Sequence, residues 1–198
     1  MTAQIDDIFR YEDTEYAVCG ISEGTLFNPS LLGLNPVGTC SACWRGYQAV
    51  FAIADSRLVL DTLHVNLLAG GEGYARQEGP PINGVSPTGP RGEHDWFNNH
   101  YDDLAYPLEY TGGLLLGDGF IRDLYVHMGF HPAWKYKAVI ELVFESGILQ
   151  AEFDRSRRMA RFRERLLASR SSQDSSRMPS DSEIRQFIEQ AFGRTYQL

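Results

Sequence analysis

Two cysteines and two histidines form two pairs, each with the spacing of half a structural zinc site. Cys40 and Cys43 form a C-x2-C pair in TCSACW, and His127 and His131 form an H-x3-H pair in HMGFH. Structural zinc takes four tetrahedral N or S ligands, and each pair is a normal half of such a site. The two pairs are far apart in sequence, which disfavours a zinc site. The residues after Cys43 are strand-like, which disfavours a redox pair of the thioredoxin type, since that motif stands at the start of a helix. We therefore favour packing, with the thiols and Trp44 filling the base of a hairpin, and keep zinc as an alternative.

A second cluster of side chains that could do chemistry lies in the segment HDWFNNHYDD. Its metal-ligand types are His94, Asp95, His100, Asp102 and Asp103. Histidine and carboxylate groups can hold a divalent metal for hydrolysis. The same segment is rich in aromatic residues, and aromatic anchors among carboxylates suit the recognition of a basic protein. We predict a partner-binding surface here and keep a small metal-dependent enzyme using His94 to Asp103 as the alternative. The predicted contact residues are Glu93, Asp95, Trp96, Tyr101, Asp102 and Asp103.

No common catalytic or nucleotide-binding motif occurs in the chain. The sequence lacks G-x-S-x-G, Walker, G-x-G-x-x-G and HExxH patterns, so we predict no catalytic residue and no cofactor. The net charge is −8, but residues 154–170 contain seven arginines and carry +5, which leaves −13 on the rest. This acidic body disfavours nucleic acid as a partner. We expect the arginine-rich helix 155–170 to pack against the body of its own chain.

Apolar residues at a period of two predict an antiparallel sheet. Strand pairs are predicted at IFRY with EYAVCGI and at YQAVFAIA with RLVLDTLHV, and further strands at GGLLLG and KYKAVIELVFESGILQAEF. A Gly/Pro-rich loop, residues 69–92, separates the two strand-rich regions. No apolar run reaches the ~20 residues of a membrane span. The fold class is therefore α+β, mainly antiparallel, with a β-rich domain over residues 1–153.

The two strand-rich regions resemble each other. Residues 24–54 align without gaps to residues 113–143, with six identities in 31 positions. The alignment predicts two similar units, 20–68 and 110–153, each a strand, a short helix and a hairpin.

The C-terminal extension, residues 154–198, has the pattern of two helices. Met159, Phe162 and Leu166 form an apolar stripe in the first. A capping box, Ser180 with Glu183, starts the second.

Three stretches carry a family resemblance. TCSACWRGYQAVF, PPINGV and DGFIRDLYVHMGFHPAWKYKAVIELVFESG resemble small uncharacterised bacterial proteins of the immunity type, encoded beside polymorphic toxins. The resemblance covers roughly residues 5–155 and implies a partner-binding role, with a basic toxin domain as the partner. The acidic N-terminus has no secretory pattern, so we expect the protein to be cytoplasmic.

Overall fold

Nine strands and one α-helix make up the described part of the chain. The computed structural model describes residues 2–70, 75–171, 182, 189 and 193–196. The strands are β1 (Ile8–Tyr11), β2 (Thr14–Ile21), β3 (Tyr47–Ala54), β4 (Arg57–Val65), β5 (Asn99–Tyr101), β6 (Tyr106–Pro107), β7 (Gly112–Phe120), β8 (Tyr136–Glu145) and β9 (Ile148–Asp154). Helix α1 is Ser156–Ser171, and 3-10 helices lie at Pro29–Leu32, Arg122–Leu124 and Ala133–Lys135. No helix among these residues is long and apolar enough to cross a membrane.

The predicted strand pairs are confirmed. β1 pairs with β2, β3 with β4 and β8 with β9, all antiparallel. The β3–β4 and β8–β9 hairpins turn through Asp55 with Ser56 and Ser146 with Gly147, and all four residues have positive φ. Two-residue turns of this kind match the right-handed twist of a hairpin.

The sheet closes on itself. Its order is β3-β1-β2-β7-β8-β9-β4, and β4 pairs back to β3, so these strands form a ring. β5 and β6 pair with β4 outside this path. The pairing of β1 with β3 is parallel, and the other pairings between named strands are antiparallel. β1 therefore lies between β2 and β3, where a simple meander would pair these two strands directly.

The part of the sheet formed by β2, β7 and β8 is apolar on both faces, because it borders the inner core on one side and a second cluster on the other. On β7, Leu114 and Leu116 point into the ring, while Leu115 belongs to a cluster on the outer face. This follows from the period of two along a strand. The inner core includes Phe9, Phe51, Leu60, Tyr101 and Phe144. The outer cluster includes Cys19, Trp134, Val139, Met159 and Leu166.

Helix α1 covers the outer face of β8. Its predicted stripe is confirmed, since Met159 and Leu166 are buried and Phe162 packs against the same cluster. Arg163 donates to the carbonyls of Trp134 at 2.7 Å and Tyr136 at 3.1 Å. Arg155 forms an ion pair with Glu141 at 2.5 Å. Some arginines of the basic segment thus contact the chain's own sheet. The second predicted helix lies outside the described residues, apart from Ser182 and Glu189.

The two predicted units share an order of elements. A strand leads into each hairpin, β2 before the first and β7 before the second, with one 3-10 helix in between in the first unit and two in the second. The hairpin strands β3 and β8 both begin at a tyrosine, Tyr47 and Tyr136. β2 pairs with β7, and β4 touches β9 through Arg57 and Ile148, so the units meet at both edges. Before residue 47 the alignment is not matched, because Gly24 follows β2 whereas Gly113 lies within β7. The duplication stays a prediction.

Candidate partner-binding site

Three asparagines fix the loops around the predicted contact segment. Asn66, after β4, accepts from the backbone N–H of Asn98 at 3.0 Å. The Asn98 side chain accepts from the N–H of Leu67 and donates to its carbonyl, at 2.9 and 3.0 Å. The Asn99 amide donates to the carbonyl of Gln77 at 2.9 Å. Asn66 and Asn99 are buried, so each bond is made away from water, where an unmade bond is costly. The loops that precede β5 are therefore held in one arrangement.

The Gly/Pro-rich loop is part of this framework. Thr88 and His100 exchange backbone hydrogen bonds at 2.9 and 3.0 Å. Ile82 is buried in the inner core. Arg76 donates from Nε to the carbonyl of Asn98 at 2.6 Å. The described part of this loop is packed against the sheet edge.

Asp95 organises the contact segment from within. Its carboxylate accepts from the N–H of Arg91 at 2.7 Å and of Phe97 at 3.1 Å. His100 Nε2 lies 2.9 Å from Asp95 Oδ2. Partial burial acts to raise the pKa of Asp95, but the two backbone hydrogen bonds and His100 together outweigh it, so the pKa lies below its usual value. Asp95 therefore positions the loop and has little surface left for a partner.

His100 links this carboxylate to a second histidine on β4. The Nδ1 atoms of His100 and His64 are 2.9 Å apart. Burial, with the nearby His100, lowers the pKa of His64 to about 4, so this ring is neutral at pH 7. The described residues contain no group of three or more His, Cys, Asp or Glu side chains placed to hold a metal ion. His94 is exposed and lies apart from this chain of hydrogen bonds.

Tyr101 is a correction to the predicted contact residues. Its side chain is 0% exposed and points into the inner core, and its hydroxyl donates to the carbonyl of Pro80 at 2.9 Å. On β5 the residue pairs with Leu63, which belongs to the same core. It cannot contact a partner in this conformation.

The remaining predicted contact residues reach the surface to different degrees. Trp96 is 57% exposed, and Glu93 and Asp103 are exposed. Asp102 is half-exposed and forms an ion pair with Arg91. That pair joins the loop of Glu93 and Trp96 to the turn after β5. Glu93, Trp96 and Asp103 are thus the members most open to a partner.

The prediction that Trp44 is buried at the base of a hairpin is wrong. The side chain is 55% exposed and does not fill the base of a hairpin. Asn66 Nδ2 donates both to Thr39 Oγ1 at 3.0 Å and to the carbonyl of Trp96 at 2.9 Å, and its own carbonyl accepts from Val37. Asn66 therefore joins the 37–44 loop to the Trp96 loop. We call four exposed residues on these two loops the tryptophan surface: Val37, Trp44, Glu93 and Trp96.

No family model, curated protein or solved structure matches this chain.

The proposed zinc ligands do not come together in the described residues. Cys40 is exposed, whereas Cys43 is buried and its thiol donates to the carbonyl of Tyr47 at 3.3 Å. His127 Nδ1 lies 2.8 Å from the hydroxyl of Tyr125. His131 is buried, with Nδ1 3.2 Å from Lys135 Nζ. The N-terminal residues lie between the two loops, since Gln4 donates its N–H to Gly129 and the next N–H along the chain donates to Ala42.

Asp6 has an unusual environment in the same N-terminal segment. Burial, with the charge of Asp7, raises the pKa of Asp6 to about 6, although Arg194, the Tyr136 hydroxyl and Arg45 act in the opposite direction. Its Oδ1 atom is buried and has no hydrogen-bond partner among the described residues. The ionised carboxylate is therefore costly in the folded state.

We expect Asp6→Asn to change how stability depends on pH. The folded protein binds the proton more tightly than the unfolded chain, so stability from this group is present at about pH 4 and is lost as the pH rises through about 6. The unfolding free energy of the variant minus that of the wild type should be about 2 kcal/mol larger at pH 7.5 than at pH 4.5. Urea unfolding at both pH values measures this. The control Asp13→Asn changes an exposed carboxylate in the β1–β2 turn. Equal pH responses of the two variants would contradict the burial of Asp6.

Proposed function

We propose that this protein is a non-enzymatic protein-binding module whose contact site is the tryptophan surface. The observation that carries the proposal is that Trp44 and Trp96, both more than half exposed, lie on loops joined through buried Asn66. Tryptophan is enriched among the residues that carry most of the binding energy in protein interfaces, and exposed apolar patches mark interaction sites. Loops already held in place lose little entropy when a partner binds.

The partner's chemistry follows from charge. The chain outside the basic segment carries −13. Glu93, in the Trp96 loop, and Asp103, in the turn after β5, are exposed and form no ion pair with another described residue. Carboxylates around an apolar centre favour encounter with a basic surface. We therefore infer a basic protein, and a toxin domain neutralised by an immunity-type protein fits this description.

Site-specific photocrosslinking in expressing cells tests the proposal. A benzophenone amino acid replaces His94, which is exposed and lies between Glu93 and Trp96 in the sequence. In the control chain the same amino acid replaces Phe153, which is exposed on β9. We expect position 94 to crosslink one protein of basic isoelectric point that position 153 does not. The purified partner should bind less tightly as salt rises. Identical products from both positions, or an acidic partner with salt-independent binding, would refute the proposal.

A further inference from the structure

A cavity lies on the opposite side of the sheet wall from the inner core, between β2, β7 and helix α1. Its volume is about 450 Å³. This lies within the ~300–1,000 Å³ typical of small-molecule sites. The walls include Cys19, Leu115, Trp134, Met159 and Phe162, which all belong to the outer apolar cluster. None of these residues contributes to the tryptophan surface. The cavity is therefore apolar inside and separate from the proposed partner site.

Three arginines line the same cavity. Arg158 and Arg165 stand seven residues apart on α1, which places them on one face of the helix, and Arg194 comes from the C-terminal segment. Among the described lining residues, Glu189 is the one carboxylate. None of the three arginines forms an ion pair with a described carboxylate within 4.0 Å. An apolar space in this otherwise acidic protein is thus edged by positive charge.

One hydrogen-bond donor of Arg194 is unpaired among the described residues. Its Nη2 donates to the carbonyl of Val18 at 2.5 Å, and its guanidinium stacks over Phe130 at 4.5 Å. Its Nε is buried and has no hydrogen-bond partner among the described residues. Asp6 interacts with Arg194 electrostatically without bonding to this nitrogen. Buried donors are nearly always paired, so Arg194, which lines the cavity, carries an unsatisfied donor next to it.

We propose that this cavity binds a small organic anion with an apolar body, such as a medium-chain carboxylate. The apolar body occupies the space beside Trp134, Met159 and Phe162. The carboxylate accepts hydrogen bonds from the arginines at the rim, where charge-assisted bonds are stronger than neutral ones. A neutral or cationic ligand of the same length makes the apolar contacts but lacks the charge-assisted hydrogen bonds to the arginines.

Tryptophan fluorescence tests the proposal directly. The chain has three tryptophans, and Trp44→Phe with Trp96→Phe leaves Trp134, which is buried at the cavity wall, as the single reporter. Bromine quenches tryptophan on contact, so ω-bromododecanoate should quench Trp134 saturably. ω-Bromododecanol should bind about tenfold more weakly or worse, because it lacks the charge. Unlabelled dodecanoate should reverse the quenching, whereas dodecyltrimethylammonium should not.

Arginine variants separate the site from non-specific apolar binding. Arg158→Gln with Arg165→Gln should weaken ω-bromododecanoate about tenfold or more and leave ω-bromododecanol unchanged. Arg161→Gln is the matched control, since Arg161 is exposed on the same helix and does not line the cavity. Absence of saturable quenching, equal affinity for the acid and the alcohol, or equal losses in the double variant and the control would each overturn the proposal.

Discussion

Tyr101→Ala is expected to lower the free energy of unfolding by about 3–5 kcal/mol. The ring is fully buried in the inner core, and its removal leaves a cavity that the surrounding strands cannot collapse to fill. The substitution also removes the bond from the hydroxyl to the carbonyl of Pro80. Chemical denaturation of the purified variant measures the loss.

Tyr101→Phe is the matched control for this experiment. It keeps the ring and removes only the hydroxyl, so it should cost about 1 kcal/mol. The comparison also distinguishes the core position observed here from a surface contact. If Tyr101→Ala unfolds at the wild-type denaturant concentration, the residue is not buried and its place in the core is wrong.

Trp96→Ala is expected to weaken partner binding while leaving the stability of the fold nearly unchanged. Because the side chain is 57% exposed, stability should change by no more than about 0.5 kcal/mol. The loop should keep its position, because Asn66 donates to the backbone carbonyl of residue 96, which alanine retains. Binding to the crosslinked partner should weaken by about 2 kcal/mol or more, mainly through faster dissociation. Surface plasmon resonance resolves the two rates.

Two further variants complete the Trp96 experiment. Phe153→Ala removes another exposed aromatic side chain, 44% exposed on β9, and should leave affinity unchanged. Asp102→Asn with Asp103→Asn should slow association at low salt and leave dissociation nearly unaltered. Asparagine tolerates the positive φ of 52° at residue 103, and the exposed ion pair of Asp102 with Arg91 contributes little to stability, so the fold should be kept. A partner whose binding is insensitive to Trp96→Ala and to the double variant uses another surface.

Local sequence determined most of the secondary structure. The period of two in YQAVFAIA and RLVLDTLHV, with a two-residue turn between them, specifies the β3–β4 hairpin without help from distant residues. The stripe of Met159, Phe162 and Leu166 likewise specifies the buried face of α1. Both patterns depend only on residues close in sequence, and for that reason the sequence predicts them.

Tertiary pairing decided the rest, including which candidate residues can act. The parallel pairing of β1 with β3 and the short pairing of β4 with β9 close the sheet, and both join segments far apart in the chain. Local periodicity carries no signal for such contacts.

The candidate site shows the same division. Trp96 and Tyr101 are both aromatic residues among carboxylates, so composition treats them alike. The pairing of β5 with β4 turns Tyr101 into the inner core, while the bonds of Asn66 hold the backbone of Trp96 at the surface. The sequence by itself determined that an acidic, aromatic segment exists. Only the folded chain decided which of its aromatic side chains faces water, because burial depends on the strands and side chains that long-range pairing brings alongside.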